Sequence, residues 1–173
     1  LRWDIVAKSR PTNPTNPADP AYDWLQYDTV VTAAAANKIE VLFAVYGTPA
    51  WAADPTVAVG TRFPATSIRP KDAADFGAFG EAAARRYSPR GVTKWEGWNE
   101  PNIALFLRPQ YERQGAEWVA VSPDTYAKLL KAFSAGVKKV DPAATIGGAV
   151  TAPAGDRCPC DNEPVRVTPD DFI

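Results

Sequence analysis

The sequence contains no histidine, and its 173 residues include only two cysteines. Histidine is the commonest metal ligand in proteins and the commonest general base near neutral pH. Its absence argues against metal-dependent hydrolysis and against catalysis by a histidine base. We expect neither a metal nor an organic cofactor, and a calcium ion held by carboxylate oxygens alone is the open alternative.

The two cysteines, Cys158 and Cys160, lie close together in the segment DRCPCDNE. Their spacing differs from the paired C-x-x-C arrangement of zinc sites. A disulfide between them would close a small, strained ring around Pro159. We interpret the pair as a loop feature and keep a disulfide or a labile thiol site as the alternative, so the redox compartment stays undecided.

Long apolar runs and an excess of charge of one sign are also missing. The net charge is −1, so the chain lacks the basic surface that nucleic-acid-binding proteins carry. No apolar run approaches the roughly 20 residues that a membrane-spanning helix needs. The opening segment, LRWDIVAKSR, lacks the apolar centre of a signal peptide. We therefore expect a globular domain with neither a nucleic-acid partner nor a membrane partner.

What the sequence does contain is a regular alternation of strand-like and helix-like segments. Strands are predicted at 1–6, 39–46, 92–98 and 144–150, and helices at 22–38, 71–87 and 122–140, with another helix beginning at 168–173. The helical segments carry apolar residues three and four positions apart, whereas IEVLFAVY is nearly continuous, as in a strand covered on both faces. This order predicts an α/β fold with a parallel sheet and right-handed crossovers.

The predicted connections are long after the strands and short before them. The long loops span 47–70, 99–121 and 151–167. Because ligand sites of α/β proteins lie at the carboxyl ends of parallel strands, extra length at this edge favours a binding site. The third long helix has Ser122 as its predicted N-cap and Pro123 in its first turn.

The segment KWEGWNEPN places a carboxylate, Glu100, at the abrupt end of a predicted strand. Pro101 cannot donate a hydrogen bond to a sheet and disfavours helical geometry at Glu100, so the strand ends at this carboxylate. Partial desolvation beside Trp98 would favour the protonated carboxyl and suit it to donate a proton. Asn99 offers both a donor and an acceptor to a sugar hydroxyl. The alternative is a plain turn, because Asn-Glu-Pro also suits a loop.

The segment WEGWNEPN resembles the strand-four signature of the retaining glycoside hydrolases with (β/α)8 barrels, the clan A superfamily. Two further stretches are similar to that superfamily: YDWLQYDTVVTAAAANKIEVLFAVYGTPAW to its second helix and third strand, and LRWDIV to its second strand. The resemblance spans nearly the whole chain. It implies a partial (β/α)8 TIM barrel with parallel strands, covering about strands two to five, in which residues 1–173 form one catalytic domain truncated at both ends.

The resemblance also implies roles for individual residues. Glu100 matches the general acid/base, and Asn99 matches the residue that hydrogen-bonds the sugar 2-hydroxyl beside the cleaved bond. Arg2 matches an arginine near the nucleophile, and a structural ion pair is its alternative explanation. Aromatic rings suit the apolar face of a sugar, and the predicted substrate-binding aromatic residues are Tyr46, Trp51 and Trp98. Core packing is the alternative for all three rings.

The nucleophile of the retaining mechanism has no counterpart in this sequence. In the resembled superfamily it is a glutamate at the end of strand seven, whereas this chain is expected to end just after strand five. We therefore expect a portion of a glycosidase that hydrolyses O-glycosidic bonds of a carbohydrate by double displacement and is inactive by itself. The resemblance places the parent protein outside the cell.

Two other functions are alternatives to hydrolysis. A non-catalytic carbohydrate-binding barrel would keep the acid/base residue and lack the nucleophile. A nucleotide-binding domain is disfavoured, because IGGAVTAPAG does not match G-x-G-x-x-G and is not followed at once by a helix. The remaining carboxylates near the signature, Glu96 and Glu117, are interpreted as structural or solvated.

Overall fold

A computed structural model of the protein describes residues 1–156 and 165–172. Its helices are α1 (Trp3–Val6), α2 (Leu25–Ala36), α3 (Ala73–Tyr87) and α4 (Ser122–Val140). Its strands are β1 (Leu42–Val45), β2 (Lys94–Gly97), β3 (Tyr111–Gln114), β4 (Glu117–Ala120) and β5 (Thr145–Gly147). Short 3-10 helices span Ala65–Ser67, Ser88–Arg90 and Pro169–Phe172. Within these described ranges, no helix is both long enough and apolar enough to cross a membrane.

The main sheet has three parallel strands in the order β1-β2-β5. Residues Leu42 to Val45 pair with Lys94 to Gly97, and β2 continues the register into Thr145 to Gly147. Helices connect successive parallel strands, as the alternation of the sequence predicts. The α/β class with a parallel sheet is therefore confirmed, and β2, which leads into Glu100, is the central strand.

Helices α2, α3 and α4 cover one face of this sheet. Phe43 of β1 contacts Tyr27 of α2 and Tyr87 of α3, with ring centroids 5.9 and 5.3 Å apart. Trp95 of β2 faces Phe133 of α4. Because side chains alternate along a strand, the next positions point to the opposite face, where Leu42 is exposed. The apolar core thus lies between β1, β2 and the three helices.

The prediction of a strand over residues 1–6 is wrong beyond Arg2. Arg2 forms a parallel bridge with Tyr46, and the Trp3 amide donates to the Tyr46 carbonyl at 2.9 Å. The chain then turns into α1, where the Val6 amide donates back to the Arg2 carbonyl at 3.1 Å. Trp3 and Val6, three positions apart, are both fully buried. One helical turn brings both side chains into the core, whereas a strand would place them on opposite faces.

The prediction of Ser122 as the N-cap of α4 is also wrong. Ser122 is the first residue of the helix, and Val121 occupies the capping position without a side-chain hydrogen bond. The Ser122 hydroxyl instead donates to Oε1 of the buried Gln110 at 3.0 Å. A tertiary partner has taken the hydroxyl that would otherwise cap the helix. Pro123 does lie in the first turn, as predicted.

Two other sequence features have different outcomes. The loop at 99–121 contains the antiparallel β3–β4 hairpin, which the sequence pattern did not predict. The helical start predicted at 168–173 is a 3-10 helix over Pro169–Phe172. Cys158 and Cys160, interpreted above as a loop feature, lie outside the described residues.

Candidate active site

Each of the three parallel strands is followed by at least one residue with a left-handed backbone conformation. Gly47 follows β1 with φ +89°, Trp98 and Glu100 follow β2 with φ +77° and +40°, and Ala149 follows β5 with φ +53°. Residues other than glycine rarely adopt this backbone conformation, and it persists only where the surrounding structure stabilises it. Such residues cluster at functional sites. The carboxyl edge of the sheet is therefore the favoured position for a functional site.

Glu100 is held at this edge by its backbone. Its amide donates to the Val150 carbonyl at 3.0 Å, and its carbonyl accepts from the Ile103 amide at 3.2 Å. Two residues earlier, the Trp98 amide donates to the Val45 carbonyl at 2.9 Å. The turn is thus bound to the ends of both neighbouring strands, which fixes where the Glu100 side chain begins.

The Glu100 carboxylate has no interaction partner within residues 1–156 and 165–172. The side chain is half-buried, and neither a hydrogen bond nor an ion pair joins it to a residue of these ranges. Two other partly buried carboxylates have ion-pair partners: Asp4 pairs with Arg2, and Asp54 pairs with Arg69. Glu96 of β2 is also half-buried without such a partner in the described ranges, but it lies within the strand. The Glu100 carboxylate is available to a ligand.

Two polar residues near Glu100 in the sequence, Asn99 and Glu96, lie in different positions relative to β2. The Asn99 side chain is half-buried and, like that of Glu100, has no hydrogen-bond partner in the described part of the chain. Glu96 lies within β2, where its backbone is paired with Ala44 and Gly147. Burial raises the pKa of the Glu96 carboxyl. Glu96 is thus within β2, one residue before its last residue, Gly97, whereas Asn99 and Glu100 lie beyond the end of the strand.

The loop that follows Glu100 is anchored by a buried amide that sequence reasoning missed. Asn102 is fully buried, and its Oδ1 accepts from the Ala152 amide at 2.7 Å. Its Nδ2 lies 3.0, 2.9 and 3.2 Å from the carbonyl oxygens of Ala152, Ala154 and Val167. This one side chain therefore joins the loop after β2 to two segments that follow β5. In the sequence, an asparagine after Asn-Glu-Pro looks like any polar loop residue.

Gln110 is a second buried amide that the sequence did not reveal. Its Nε2 donates to the carbonyls of Pro101 and Leu107, at 2.8 and 2.7 Å. Its Oε1 accepts from the Ser122 hydroxyl and from the Val167 amide. The bond to Pro101 closes the loop just after Glu100. Asn102 and Gln110 together hold in place the turn that carries the candidate acid.

A cavity of about 190 Å³ opens at the same edge, beside Tyr46. Its lining consists of Arg2, Tyr46, Gly47, Pro64, Thr66, Leu105 and Phe106. The Tyr46 ring meets Phe106 edge-on with centroids 5.6 Å apart, and the Arg2 guanidinium lies 5.3 Å from the Tyr46 centroid. We refer to it below as the Tyr46 cavity. It combines an aromatic ring, a hydroxyl and a cation, which suits a polar ligand with an apolar face.

Arg2 lines this cavity and also makes the ion pair that was its alternative explanation. Its Nε and one terminal nitrogen contact the two carboxylate oxygens of Asp4, each at 2.7 Å. Hydrogen bonding to Asp4 raises the pKa of the guanidinium above its ordinary value. The bidentate pair fixes the side chain beside Tyr46, so the ion pair is present, and the role of Arg2 in substrate binding stays a prediction.

The two predicted tryptophans lie in different surroundings. Trp98 is fully buried, its indole N–H donates to the Phe106 carbonyl at 3.0 Å, and its ring packs against Phe76. The prediction that Trp98 contacts a ligand does not agree with this burial, because no ring face is left open. Trp51 is half-buried and donates to the Ala7 carbonyl at 2.7 Å, with the Arg10 guanidinium over its ring. The structure does not bring Trp51 into the lining of the Tyr46 cavity.

Comparison with known proteins gives a likeness to a solved structure. No protein-family model matches the chain, and no curated protein matches it. Among solved structures, the chain is similar to the crystal structure of a glucosidase from Croceicoccus marinus, with a TM-score of 0.56 and 22% sequence identity. The match covers 79% of this chain and 24% of the glucosidase, so the chain spans about a quarter of that protein. At this identity, the likeness shows a shared fold.

Proposed function

We propose that this chain is part of a retaining glycosidase, with Glu100 as the general acid/base. The observation that carries the proposal is the Glu100 carboxylate itself: it is half-buried, anchored through its backbone at the carboxyl edge of a parallel sheet, and has no partner among the described residues. Glu96 also lacks a partner but lies within β2, whereas Glu100 lies beyond the end of that strand, at the edge where ligand sites of α/β proteins occur. The fold shared with part of a glucosidase supports the same assignment.

The chemistry assigns Glu100 two successive proton transfers. The protonated carboxyl donates to the leaving glycosidic oxygen while a second carboxylate attacks the anomeric carbon and forms a covalent glycosyl-enzyme. The Glu100 carboxylate then removes a proton from the water that hydrolyses this intermediate. The second carboxyl must lie about 5–5.5 Å from the first. We place it on a glutamate outside this sequence, in a (β/α)8 barrel of which this chain supplies about strands two to five.

Three further residues of the edge are assigned to substrate binding. Asn99, whose amide is uncommitted, hydrogen-bonds the 2-hydroxyl of the sugar at the cleaved bond. Tyr46 offers its ring to a sugar, and Arg2 fixes that ring from its ion pair with Asp4. The substrate is a carbohydrate, the protein acts outside the cell, and neither nucleic acid nor a membrane takes part.

The test separates proton donation from a structural role by varying the leaving group. In the protein that carries both carboxylates, Glu100→Gln is assayed on phenyl and 2,4-dinitrophenyl glycosides of several sugars. The phenyl leaving group needs protonation, whereas the dinitrophenyl group leaves without it. We expect kcat/KM for the phenyl substrate to fall by a factor of about 10²–10⁴, the range of general acid catalysis. The decrease in kcat/KM for the dinitrophenyl substrate should be far smaller.

Glu117→Gln is the matched control, because Glu117 is an exposed carboxylate of the hairpin that follows the same strand. Glu117→Gln should leave kcat/KM unchanged for both substrates. Equal losses on both substrates with Glu100→Gln would contradict proton donation. The 173-residue chain alone should not hydrolyse glycosides. Sugar binding without hydrolysis in the complete protein would instead support a non-catalytic carbohydrate-binding barrel.

A further inference from the structure

A second cavity, of about 680 Å³, opens among the loops at the carboxyl ends of the strands. Its lining comes from residues 56–69 after β1, residues 108–113 after β2, and Val165 after β5. Four arginines line it, namely Arg62, Arg69, Arg108 and Arg113. Glu112 is the one acidic residue that lines it in the described part of the chain. We call it the arginine cavity.

The positive charges of this cavity are only partly balanced. Arg69 contacts Asp54 and Glu112, each at 2.9 Å, so this guanidinium is paired with two carboxylates. No ion pair within residues 1–156 and 165–172 joins Arg62 or Arg113 to a carboxylate. Arg62 and Arg113 therefore bring to this concave surface two positive charges that no carboxylate of the described residues pairs with.

The arginine side chains are supported by neighbouring groups. The Arg113 guanidinium lies 4.6 Å from the Trp118 ring centroid, and that of Arg62 lies 5.1 Å from the Phe63 centroid. Arg108 donates from Nε to the Ser67 hydroxyl at 2.8 Å and from its terminal nitrogens to carbonyls of the loop after β1. Stacking on a ring restricts a guanidinium while leaving its planar N–H edge able to bind an oxyanion.

The arginine cavity adjoins the Tyr46 cavity. Pro64 lines the Tyr46 cavity, and its carbonyl accepts from Arg108 at 3.4 Å. The Arg69 amide donates to the Arg108 carbonyl at 2.8 Å. Pro64 and Thr66 line the Tyr46 cavity, whereas Phe63 and Arg69 line the arginine cavity, so residues 63–69 contribute to both. A ligand that spans this segment would contact both cavities. The volume is within the range of small-molecule sites.

We propose that the arginine cavity binds an oxyanion substituent of a carbohydrate chain, either a uronate carboxylate or a sulfate ester. Guanidinium groups bind both through paired charge-assisted hydrogen bonds. The carbohydrate part of this proposal rests on the proposed function, and the oxyanion part rests on the arginines alone. The cavity thus selects an acidic glycan over a neutral one of the same length.

The test compares three oligosaccharides of equal length by titration calorimetry at low salt: a neutral one, one with a uronate and one with a sulfate ester. The double variant Arg62→Gln/Arg113→Gln removes two exposed charges that make no ion pair in the described ranges. Lys128→Gln/Lys131→Gln, on exposed positions of α4, is the matched control with the same change of net charge. Circular dichroism spectra establish that both double variants are folded.

The wild-type protein should bind one of the acidic oligosaccharides at least about tenfold more tightly than the neutral one. The arginine variant should lose this preference, the lysine variant should keep it, and both should bind the neutral chain like the wild type. The tighter acidic arm identifies the substituent as carboxylate or sulfate. Added salt should weaken the acidic arm selectively.

Equal binding of all three oligosaccharides by the wild type would overturn the proposal. So would an equal loss of preference in both double variants, because the effect would then be one of net charge. These outcomes are independent of catalysis. If the Glu100→Gln test fails while the arginine-dependent preference persists, the proposed hydrolysis is wrong and the oxyanion site stands.

Discussion

The Asn102→Ala substitution tests whether one buried amide holds the loop that carries Glu100. The substitution removes the acceptor of the Ala152 amide and the donor shared by the carbonyls of Ala152, Ala154 and Val167. Each net hydrogen bond contributes about 1 kcal/mol, and buried groups left unpaired cost more. Because Asn102 is fully buried, water replaces these bonds only after local opening. We expect the free energy of unfolding to fall by about 3 kcal/mol.

The Asn102→Asp substitution gives a sharper version of the same test. The introduced carboxyl keeps the oxygen that accepts from Ala152, but its second oxygen faces three carbonyl oxygens. Burial and these dipoles disfavour its charged form, so its pKa in the folded protein should exceed the unfolded value of about 3.9. When a carboxyl has a higher pKa in the folded state than in the unfolded state, its protonated form favours folding. This stability is fully present below the unfolded-state pKa and is lost as pH rises through the folded-state pKa. The variant should therefore lose more stability at pH 7 than at pH 4.

The assay is thermal unfolding followed by circular dichroism, at both pH values. For a chain of this size, 1 kcal/mol corresponds to about 2–4 °C, so Asn102→Ala should lower Tm by about 6–12 °C. Asn37→Ala is the matched control, because the Asn37 amide is exposed and donates to the Ala33 carbonyl at the end of α2. It should change Tm by no more than about 2–3 °C. A Tm of Asn102→Ala equal to that of Asn37→Ala would refute the reasoning.

Two further predictions concern the contact between α3 and α4. A Cβ at Gly136 would lie too close to the Gly77 carbonyl oxygen. Gly136→Ala should therefore lower the free energy of unfolding, measured with urea, by about 2 kcal/mol. The control substitution Lys131→Ala, at an exposed position of α4, should leave that free energy nearly unchanged. Burial acts to raise the pKa of the Glu81 carboxyl, but hydrogen bonds from Arg85 and Lys139 outweigh it and lower the pKa. Since the folded pKa is lowered, this stability is present above the ordinary value of 4.5 and is lost as pH falls through the folded pKa. Glu81→Gln should flatten the acid side of a stability–pH curve, and an unchanged curve would count against the ion pairs.

Much of the scaffold follows from local patterns in the sequence. The apolar run around β1, the stripes of α3 and α4, and the helix–strand order predict a parallel α/β sheet, and the structure has one. Pro101 predicts an abrupt strand end, and β2 stops at Gly97 with Glu100 just beyond it. These features are readable because periodicity and proline chemistry act over a few residues.

Other features depend on partners that are distant in the sequence. Burial of Trp3 and Val6 accompanies the turn into α1 after Arg2, and Ser122 bonds to Gln110 in place of capping α4. The burial of Trp98 follows from Phe76 on α3, and no local pattern around Trp98 indicates it. In each case a tertiary contact outweighs a local preference.

The sequence by itself therefore determined the α/β class and the placement of Asn99 and Glu100 at the end of a strand. The tertiary structure alone decided that Asn102 is buried while the Glu100 carboxylate is uncommitted, and that four arginines converge on one cavity. The physical reason is the range of the forces: backbone preferences act between near neighbours, whereas burial and charge clustering depend on which distant segments the fold brings together.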